Sequence, residues 1–190
     1  MSTAVILAGG GSLRMGCDKL RLELGGRTFL ESAVEKFSAY FDKVIVSAGR
    51  PGAYADMGFE IAPDVYPGCG PLSGLHAALA RADESGVFLV AGDLPFAEPL
   101  AAVELMRMCG EHEICLVDRI GKKREPLFGF YKKILLPRVE RALREGRYGM
   151  SDLLSSSDTL YVPPEKLGVL WSESMLFNVN TPSDYDALLT

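Results

Sequence analysis

Residues 7–19 read LAGGGSLRMGCDK and continue directly from a short apolar run at residues 4–7. An apolar run that leads into such a turn predicts a first β-strand followed by a loop whose backbone N–H groups form a concave anion site. Glycines can take positive φ and lie close to a ligand, and Arg14 and Lys19 would add positive charge. The consecutive glycines are Gly9, Gly10 and Gly11. This stretch therefore predicts a phosphate-binding loop at the end of the first strand.

Two other phosphate-binding motifs do not fit this stretch. A Walker A loop ends in Gly-Lys-Ser/Thr, whereas Gly16 is followed here by Cys17 and Asp18. A dinucleotide-binding turn needs Gly-x-Gly-x-x-Gly, but the residue three positions after Gly11 is Arg14. A glycine-rich turn that only redirects the chain is the remaining alternative.

The composition bounds the class of protein. The chain has 190 residues, of which 48% are hydrophobic, and this suits a single domain spanning residues 1–190. A formal net charge of −5 argues against wholesale binding to nucleic acid or to an anionic membrane. The N-terminal sequence lacks the features of a signal peptide or membrane span, which predicts a cytoplasmic location. The four cysteines form no C-x-x-C pair and are expected to be free thiols.

Apolar periodicity predicts alternating strands and helices over most of the chain. Strands are predicted at residues 4–7, 43–48, 87–91 and 114–117, and helices at residues 28–40, 72–83, 99–108 and 134–144. This alternation predicts an α/β fold, a three-layer α/β/α sandwich with a mainly parallel, Rossmann-like sheet. A polar turn at residues 118–125 precedes the apolar run 126–131, which predicts a smaller antiparallel element.

Shorter elements complete the prediction. They are helices at residues 54–57 and 151–154, a brief run at 59–61, strands at 160–162 and 175–179, and a closing helix at 183–189. Thr181 or Ser183 is the expected N-cap of the closing helix. The sequence shows no internal repeat and no linker, so we predict no domain boundary.

Ligands of open α/β sheets bind outside the carboxyl ends of the strands. Asp93 follows the predicted strand 87–91 and is the candidate Mg²⁺ ligand, because Mg²⁺ shared with substrate phosphates needs few protein carboxylates. The alternative is that Asp93 only caps the following turn. The loops predicted to meet at this edge are residues 8–19, 47–50, 64–74 and 92–95.

Three stretches resemble motifs of one enzyme family. Residues 7–19 match Leu-Ala-Gly-Gly, three variable residues, Arg-Met-Gly, one variable residue and Asp-Lys, the nucleotidyltransferase signature of the molybdenum cofactor guanylyltransferases. Residues 70–74 (GPLSG) resemble the family's Gly-Pro-Leu-small-Gly segment, and residues 178–182 (NVNTP) resemble its Asn-x-Asn-Thr-Pro motif. The motifs occur in the family's order, so the resemblance covers nearly the entire chain.

The resemblance implies a nucleotidyltransferase with the nucleotide-diphospho-sugar transferase type of fold. The implied reaction transfers GMP from GTP to the phosphate of molybdopterin, with Mg²⁺ as cofactor and pyrophosphate as the second product. Proteins that deliver molybdopterin or mature molybdoenzymes are implied as transient partners. The pterin phosphate is already an anionic nucleophile, so the reaction needs in-line positioning and charge neutralisation rather than a protein nucleophile.

The resemblance also implies roles for individual residues. Lys19, Asp93 and Arg14 are expected to be catalytic, and the backbone amides of residues 8–11 are expected to contact phosphates. A carboxylate at Asp64 suits the N1–H and N2–H₂ edge of guanine or a ribose hydroxyl, although Asp beside proline also favours turns. Nucleotide contacts are expected at Leu7, Ala8, Gly9, Gly10, Gly11, Lys19, Ser47, Asp64 and Asp93. Pterin-side contacts are expected at Gly70, Pro71, Leu72, Ser73, Asn178 and Asn180.

Two positions keep other functions open. Ser47 stands where the family has asparagine, and a hydroxyl makes fewer hydrogen bonds than an amide, so a GTP-binding module without catalysis is one alternative. Gly9 favours GTP, because the related cytidylyltransferases generally carry alanine there; a CTP-dependent or sugar-phosphate nucleotidyltransferase is the other alternative. The basic residues 122–124 could hold a substrate phosphate or cover a hairpin tip.

Overall fold

The structure, a computed structural model, describes residues 1–9, 17–82, 85–119 and 124–189. Within these ranges the strands are β1 (Thr3–Leu7), β2 (Glu23–Leu24), β3 (Arg27–Thr28), β4 (Lys43–Ala48), β5 (Ile61–Pro63), β6 (Val87–Ala91), β7 (Ile114–Val117), β8 (Phe128–Tyr131) and β9 (Thr159–Val162). The α-helices are α1 (Phe29–Ser38), α2 (Pro71–Arg81), α3 (Pro99–Met108), α4 (Leu136–Arg144), α5 (Met150–Ser155) and α6 (Pro182–Asp186). Short 3₁₀ helices lie at Lys19–Arg21, Ala55–Met57, Lys133–Leu135, Pro164–Lys166, Gly168–Leu170 and Glu173–Leu176.

The main sheet has seven strands in the order β5-β4-β1-β6-β8-β7-β9. β5, β4, β1 and β6 run parallel to one another. β8 is antiparallel to both β6 and β7, and β9 is parallel to β7. The sheet therefore confirms the predicted mainly parallel architecture with a smaller antiparallel element.

Alternate residues of β1 point to opposite faces of the sheet and enter two hydrophobic clusters. Ala4 and Ile6 lie in the cluster that contains residues of α1 and α3, whereas Val5 and Leu7 lie in the cluster that contains residues of α2 and α4. All four side chains are buried, as expected for a strand covered on both faces. The helices thus form the two outer layers of an α/β/α sandwich.

Four predicted elements have the observed bounds, namely β4, β6, α3 and β7. The helix predicted at residues 28–40 is shorter, because Thr28 is its N-cap and forms a capping box with Glu31. Thr181 likewise caps α6, which confirms one of the two predicted N-caps. The helix predicted at residues 134–144 begins with a 3₁₀ turn, and Pro137 in the first turn of α4 provides no N–H for a continuous helix.

The strand predicted at residues 175–179 is wrong. Glu173–Leu176 forms a 3₁₀ helix, and the N–H of Val179 donates to the carbonyl oxygen of Asp93 at 3.1 Å instead of joining a ladder. The apolar side chains of Met175, Leu176 and Val179 are nevertheless buried, so the apolar pattern reported burial and not extended backbone. The short hairpin of β2 and β3 was not predicted, because two-residue strands carry too little periodicity.

None of the helices in the described part of the chain is long and apolar enough to cross a lipid bilayer. The four cysteines are free thiols, as predicted, and Cys109 and Cys115 are buried.

Candidate active site

The carboxyl ends of the three central parallel strands lie side by side. Leu7 of β1 is in register with Ser47 of β4 and with Ala91 of β6. Just beyond the strand ends, Ala8 donates its N–H to the Ser47 carbonyl at 2.8 Å, and Gly92 donates its N–H to the Leu7 carbonyl at 3.0 Å. The loops that follow these strands therefore start at a common edge, as predicted.

Lys19 joins two other motifs at this edge. Its Nζ atom forms an ion pair with Oδ2 of Asp93 and donates a hydrogen bond to Oδ1 of Asn180 at 3.0 Å. The ion pair is largely shielded, with side-chain exposures of 18% for Lys19 and 13% for Asp93. A group of this kind is screened less by solvent than a surface ion pair. The fold thus brings the glycine-rich motif, the end of β6 and the Asn-x-Asn-Thr-Pro motif to one point.

The second carboxylate oxygen of Asp93 lies ready for a further ligand. Oδ1 of Asp93 is buried and has no hydrogen-bond partner within residues 1–9, 17–82, 85–119 and 124–189, and a buried oxygen without a partner is unfavourable unless a ligand satisfies it. No group of three or more His, Cys, Asp or Glu side chains with metal-binding geometry occurs in that same part of the chain. The donor set fits a hard cation that takes one protein carboxylate and completes its shell with water and phosphate oxygens.

A small cavity beside the ion pair is about 70 Å³ in volume and is lined by residues that include Ala8, Asp18, Lys19, Tyr54 and Asp93. Tyr54 follows β4 in the chain, and its hydroxyl donates to Oδ2 of Asp18 at 2.8 Å. Tyr54 was not predicted as a site residue from the sequence. A contact across 36 residues leaves no local spacing signal that could have revealed it.

A larger cavity of about 330 Å³ is also lined by Gly9, together with Leu7, Ser47, Asp64, Gly70 and Gly74, among others. This volume is typical of a small-molecule pocket. Five glycines and the ends of β1 and β4 line this cavity, so a flat ligand can approach the backbone.

Asp64 carries the polar chemistry of this larger cavity. Burial raises the pKa of its carboxyl group above the ordinary value, while the hydroxyls of Ser73 and Ser47 oppose that rise. Ser47 donates from Oγ to Oδ1 of Asp64 at a long distance of 3.5 Å. A half-buried carboxylate with weak internal hydrogen bonds is a good acceptor for a ligand that brings its own N–H or O–H donors.

Gly74 allows α2 to pack closely against the strand ends. A Cβ atom at Gly74 would lie 2.5 Å from Cδ2 of Leu7 and 3.0 Å from Oγ of Ser47. The last glycine of the GPLSG segment therefore has a packing role at the floor of the larger cavity, because no side chain fits there without displacing its neighbours.

The sequence comparison identifies the family to which this architecture belongs. The family model described as "MobA-like NTP transferase domain" matches residues 4–160. The chain belongs to this MobA-like family of nucleotidyltransferases. A protein from Pelotomaculum thermopropionicum named "Probable molybdenum cofactor guanylyltransferase" is 37% identical over 184 residues, which cover 96% of this chain and 89% of that protein.

Two further MobA-like relatives agree with this assignment. A "Molybdenum cofactor guanylyltransferase" from Syntrophotalea carbinolica is 33% identical over 187 residues, which cover 97% of this chain and 89% of that protein. The crystal structure of molybdopterin-guanine dinucleotide biosynthesis protein A from Archaeoglobus fulgidus superposes with a TM-score of 0.86 at 25% identity. The superposition covers 98% of this chain and 96% of the solved chain. The MobA-like fold is thus conserved across nearly the full length of the chain.

Two expectations about the glycine-rich loop need correction. Gly9 does not take a positive φ, so it contributes space rather than an unusual backbone conformation. The amide of Ala8 is engaged by the Ser47 carbonyl and is not available to a phosphate. Gly10, Gly11 and Arg14 lie outside the described residues, as do Lys122 and Lys123.

The residues expected on the pterin side fall into two groups in the MobA-like fold. Gly70 and Pro71 line the larger cavity together with Asp64, while the side chains of Leu72 and Ser73 are fully buried. The other group is the Asn-x-Asn-Thr-Pro motif. The pterin contacts proposed for both groups stay predictions.

In that motif, Asn178 donates from Nδ2 to Oε2 of Glu125 at 3.1 Å and to the Leu176 carbonyl at 3.3 Å. Its amide donors are therefore engaged within the protein, whereas Asn180 reaches the Lys19 ammonium. The contact with Glu125 was not predicted from the sequence, and neither was the difference between the partners of the two asparagines.

Proposed function

We propose that this MobA-like nucleotidyltransferase transfers the GMP moiety of GTP to the phosphate of molybdopterin and releases pyrophosphate. The names of its relatives support the reaction. The observation that carries the proposal is the Lys19–Asp93 pair, whose buried Oδ1 atom lacks a partner within the described ranges. This pair lies beside a cavity that presents the Asp64 carboxylate.

Lys19 supplies positive charge where the triphosphate of GTP would lie. Its ammonium group is close to Asp93 and Asn180, so a phosphate oxygen can take the place of Asn180 while Lys19 stays paired with Asp93. Arg14 follows the same strand in the sequence and is proposed to anchor a substrate phosphate. Full charges placed before the reaction stabilise the developing negative charge in the transition state with little reorganisation.

Asp93 is proposed to hold the divalent cation, and we propose Mg²⁺ in that role. The atom that would ligate it is Oδ1, which is buried and lacks a partner in the described part of the chain. When bound there, Mg²⁺ would neutralise charge on the triphosphate and complete its shell with phosphate oxygens and water. Lys19, which contacts Oδ2 of the same carboxylate, would keep the Asp93 side chain oriented.

Asp64 is proposed to bind the guanine base. A carboxylate accepts hydrogen bonds from the N1–H and N2–H₂ groups of guanine, and cytosine offers no matching pair of donors on a single edge. Gly9 supports the same choice, because it lines both cavities and a Cβ atom there would reduce the space for the larger guanine base. These features favour GTP over the CTP-dependent alternative.

The covalent step balances without a protein nucleophile. An oxygen of the molybdopterin phosphate attacks the α-phosphorus of GTP and forms a new P–O bond. The bond between that phosphorus and the oxygen bridging to the β-phosphate breaks, and pyrophosphate leaves with the electron pair. Lys19 neutralises charge that builds on the leaving group, and the larger cavity fixes the nucleoside so that attack is in line.

The proposal is tested by incubating the purified chain with molybdopterin, Mg²⁺ and GTP, and by measuring pyrophosphate and the dinucleotide product by chromatography and mass spectrometry. CTP and UTP serve as matched controls. We expect both products with GTP and little product with the pyrimidine nucleotides. Tight GTP binding without pyrophosphate release would contradict the proposal and support a non-catalytic binding module, and preference for CTP would support the cytidylyltransferase alternative.

A further inference from the structure

Tyr54 has an unusual backbone conformation. Its φ of 58° and ψ of 18° are left-handed, and among the described residues no other non-glycine residue has a positive φ. Such a conformation disfavours residues with a Cβ, so contacts of the Tyr54 side chain must compensate for it. The side chain is only 7% exposed and belongs to the hydrophobic cluster on the α1 side of the sheet.

The Tyr54 hydroxyl holds Asp18. It donates to Oδ2 of Asp18 at 2.8 Å, and Oδ1 of Asp18 accepts the N–H of Leu20 at 3.1 Å. Asp18 is thus the N-cap of the 3₁₀ helix Lys19–Arg21. Both carboxylate oxygens are engaged, so the side-chain orientation of Asp18 and the first turn of this helix are fixed together.

A second set of contacts joins the same two segments at the surface. The guanidinium carbon of Arg21 lies 5.4 Å from the centre of the Tyr54 ring, and Arg21 donates two hydrogen bonds of 2.8 Å to Asp56. These charged groups are well exposed, so each pair contributes little alone. They nevertheless keep the Tyr54 ring against the helix that starts at Lys19.

Burial and the hydrogen bond to Asp18 raise the pKa of the Tyr54 hydroxyl well above its ordinary value. The group is therefore a protonated donor at neutral pH. Asp18 and Lys19 are adjacent in sequence, and Tyr54, Asp18 and Lys19 line the same cavity as Asp93. The Tyr54–Asp18 bond consequently controls the backbone that carries the Lys19 ammonium to the reaction centre.

We propose that Tyr54 is a positioning residue for nucleotidyl transfer, acting through Asp18 to fix the direction in which Lys19 points. The role rests on the function proposed above, because it assigns Lys19 to the triphosphate. Small misplacements of a charged group reduce the rate of a positioned reaction strongly. The Tyr54 hydroxyl therefore affects the rate of the chemical step more than the binding of GTP.

The variant Tyr54→Phe tests this role, because it keeps the ring, the left-handed backbone and the contact with Arg21 and removes only the hydroxyl. Tyr40→Phe is the matched control, since the Tyr40 side chain lies on the surface with 49% exposure. We expect Tyr54→Phe to lower kcat by about tenfold or more with KM for GTP changed less than about threefold, and Tyr40→Phe to match wild type. The pair Tyr54→Phe and Asp18→Ala should be non-additive, because both variants remove the same hydrogen bond.

Amide hydrogen exchange gives a readout that does not depend on activity. Exchange at residues 19–22 should be faster in Tyr54→Phe than in wild type and Tyr40→Phe, while the unfolding transition stays close to that of wild type. Unchanged exchange in this segment, or an unchanged kcat in an active enzyme, would overturn the inference. A wild-type chain without transferase activity would instead overturn the proposed function, and hydrogen exchange would still decide whether Tyr54 holds this segment.

Discussion

The ammonium group of Lys19 donates a hydrogen bond to the side-chain oxygen of Asn180 at 3.0 Å, joining segments that are 161 residues apart. Asn180 is itself fixed, because its backbone N–H donates to Oδ2 of Asp184 at 2.9 Å. The neighbouring N–H of Val179 donates to the carbonyl of Asp93. The C-terminal motif therefore contacts both members of the Lys19–Asp93 pair.

Replacing Asn180 by aspartate should weaken the binding of GTP. The new carboxylate would lie beside Asp93, attract the Lys19 ammonium and repel the triphosphate. We expect the Kd for GTP to rise by about twofold to fivefold, because the Asn180 side chain is exposed and charge pairs near solvent contribute roughly 0.2–1 kcal/mol. Isothermal titration calorimetry measures this change, and Asn180→Ser, which keeps a neutral acceptor, is the control that should stay closer to wild type. Equal affinities of all three proteins for GTP would show that Asn180 does not influence nucleotide binding.

Removal of either charge of the central pair should abolish turnover. Lys19→Ala leaves the triphosphate without its ammonium partner, and Asp93→Ala removes the proposed metal ligand. We expect each variant to lose at least about 100-fold in pyrophosphate release, as for other preorganised electrostatic groups. Circular dichroism should show the wild-type fold in both. A folded variant that retains a rate close to wild type would show that the role given to that residue is wrong.

Asp64 should make GTP binding dependent on pH. Burial raises the pKa of its carboxyl group, and only the ionised form accepts both guanine donors. GTP affinity should therefore fall as the pH decreases through the raised pKa, starting above the ordinary Asp value of about 3.9. Asp64→Asn should bind GTP weakly and without this pH dependence. If the Kd for GTP varied with pH in the same way in both proteins, Asp64 would not be the residue that binds the guanine base.

The raised pKa of Asp64 should affect folding stability in the direction opposite to its effect on GTP affinity: stability should fall as the pH rises. A carboxyl group whose pKa is higher in the folded than in the unfolded state costs stability as the pH rises through that pKa. Asp64→Asn should therefore raise the unfolding temperature at neutral pH and change it less in acid. Thermal unfolding followed at two pH values measures this difference. A variant that is destabilised at neutral pH would show that Asp64 is chiefly a structural residue.

Gly9→Ala should change the nucleotide preference and leave the fold intact. Gly9 has no positive φ, and an added Cβ would lie 3.6 Å from the backbone nitrogen of Gly49, an ordinary contact. Because Gly9 lines both cavities, the added methyl group would reduce the space for the base. We therefore expect weaker binding of GTP and a smaller effect on the binding of CTP. The ratio of the two Kd values is the measurement, and an unchanged ratio would show that Gly9 does not select the base.

Gly74→Ala provides the contrasting glycine variant. Its Cβ would overlap Cδ2 of Leu7 at 2.5 Å, and overpacking of this kind typically costs about 1–3 kcal/mol. Denaturant unfolding should therefore show a clear loss of stability for Gly74→Ala and almost none for Gly9→Ala.

The sequence predicted those elements whose signal is local. The apolar run of β6 gives the observed bounds because every one of its residues is buried between two helical layers. The bounds of α3 follow from apolar residues at helical spacing. The segment at 175–179 was misassigned because its buried apolar side chains belong to a 3₁₀ turn. The N–H of Val179 bonds to the carbonyl of Asp93 and not to a neighbouring strand. The apolar residues of the segment look the same in either conformation.

The part of the site that lies in loops directly after the strands could be predicted from the sequence. Asp93 and Lys19 meet at the carboxyl edge of the sheet because the loops after β1 and β6 must start there. The contacts of Asn180 with Lys19 and of Tyr54 with Asp18 depend on packing between distant segments, and neither spacing nor composition encodes them. The hydrogen bond from Ser47 to Asp64 shows the same limit, because it joins segments that are 17 residues apart.

A crystal structure of the chain with GTP and Mg²⁺ tests the central claim most directly. We predict the guanine base against Asp64 in the larger cavity, the triphosphate at Lys19, and a divalent ion on Oδ1 of Asp93. A triphosphate bound away from Lys19, or an Asp93 carboxylate without a metal at saturating Mg²⁺, would contradict the claim.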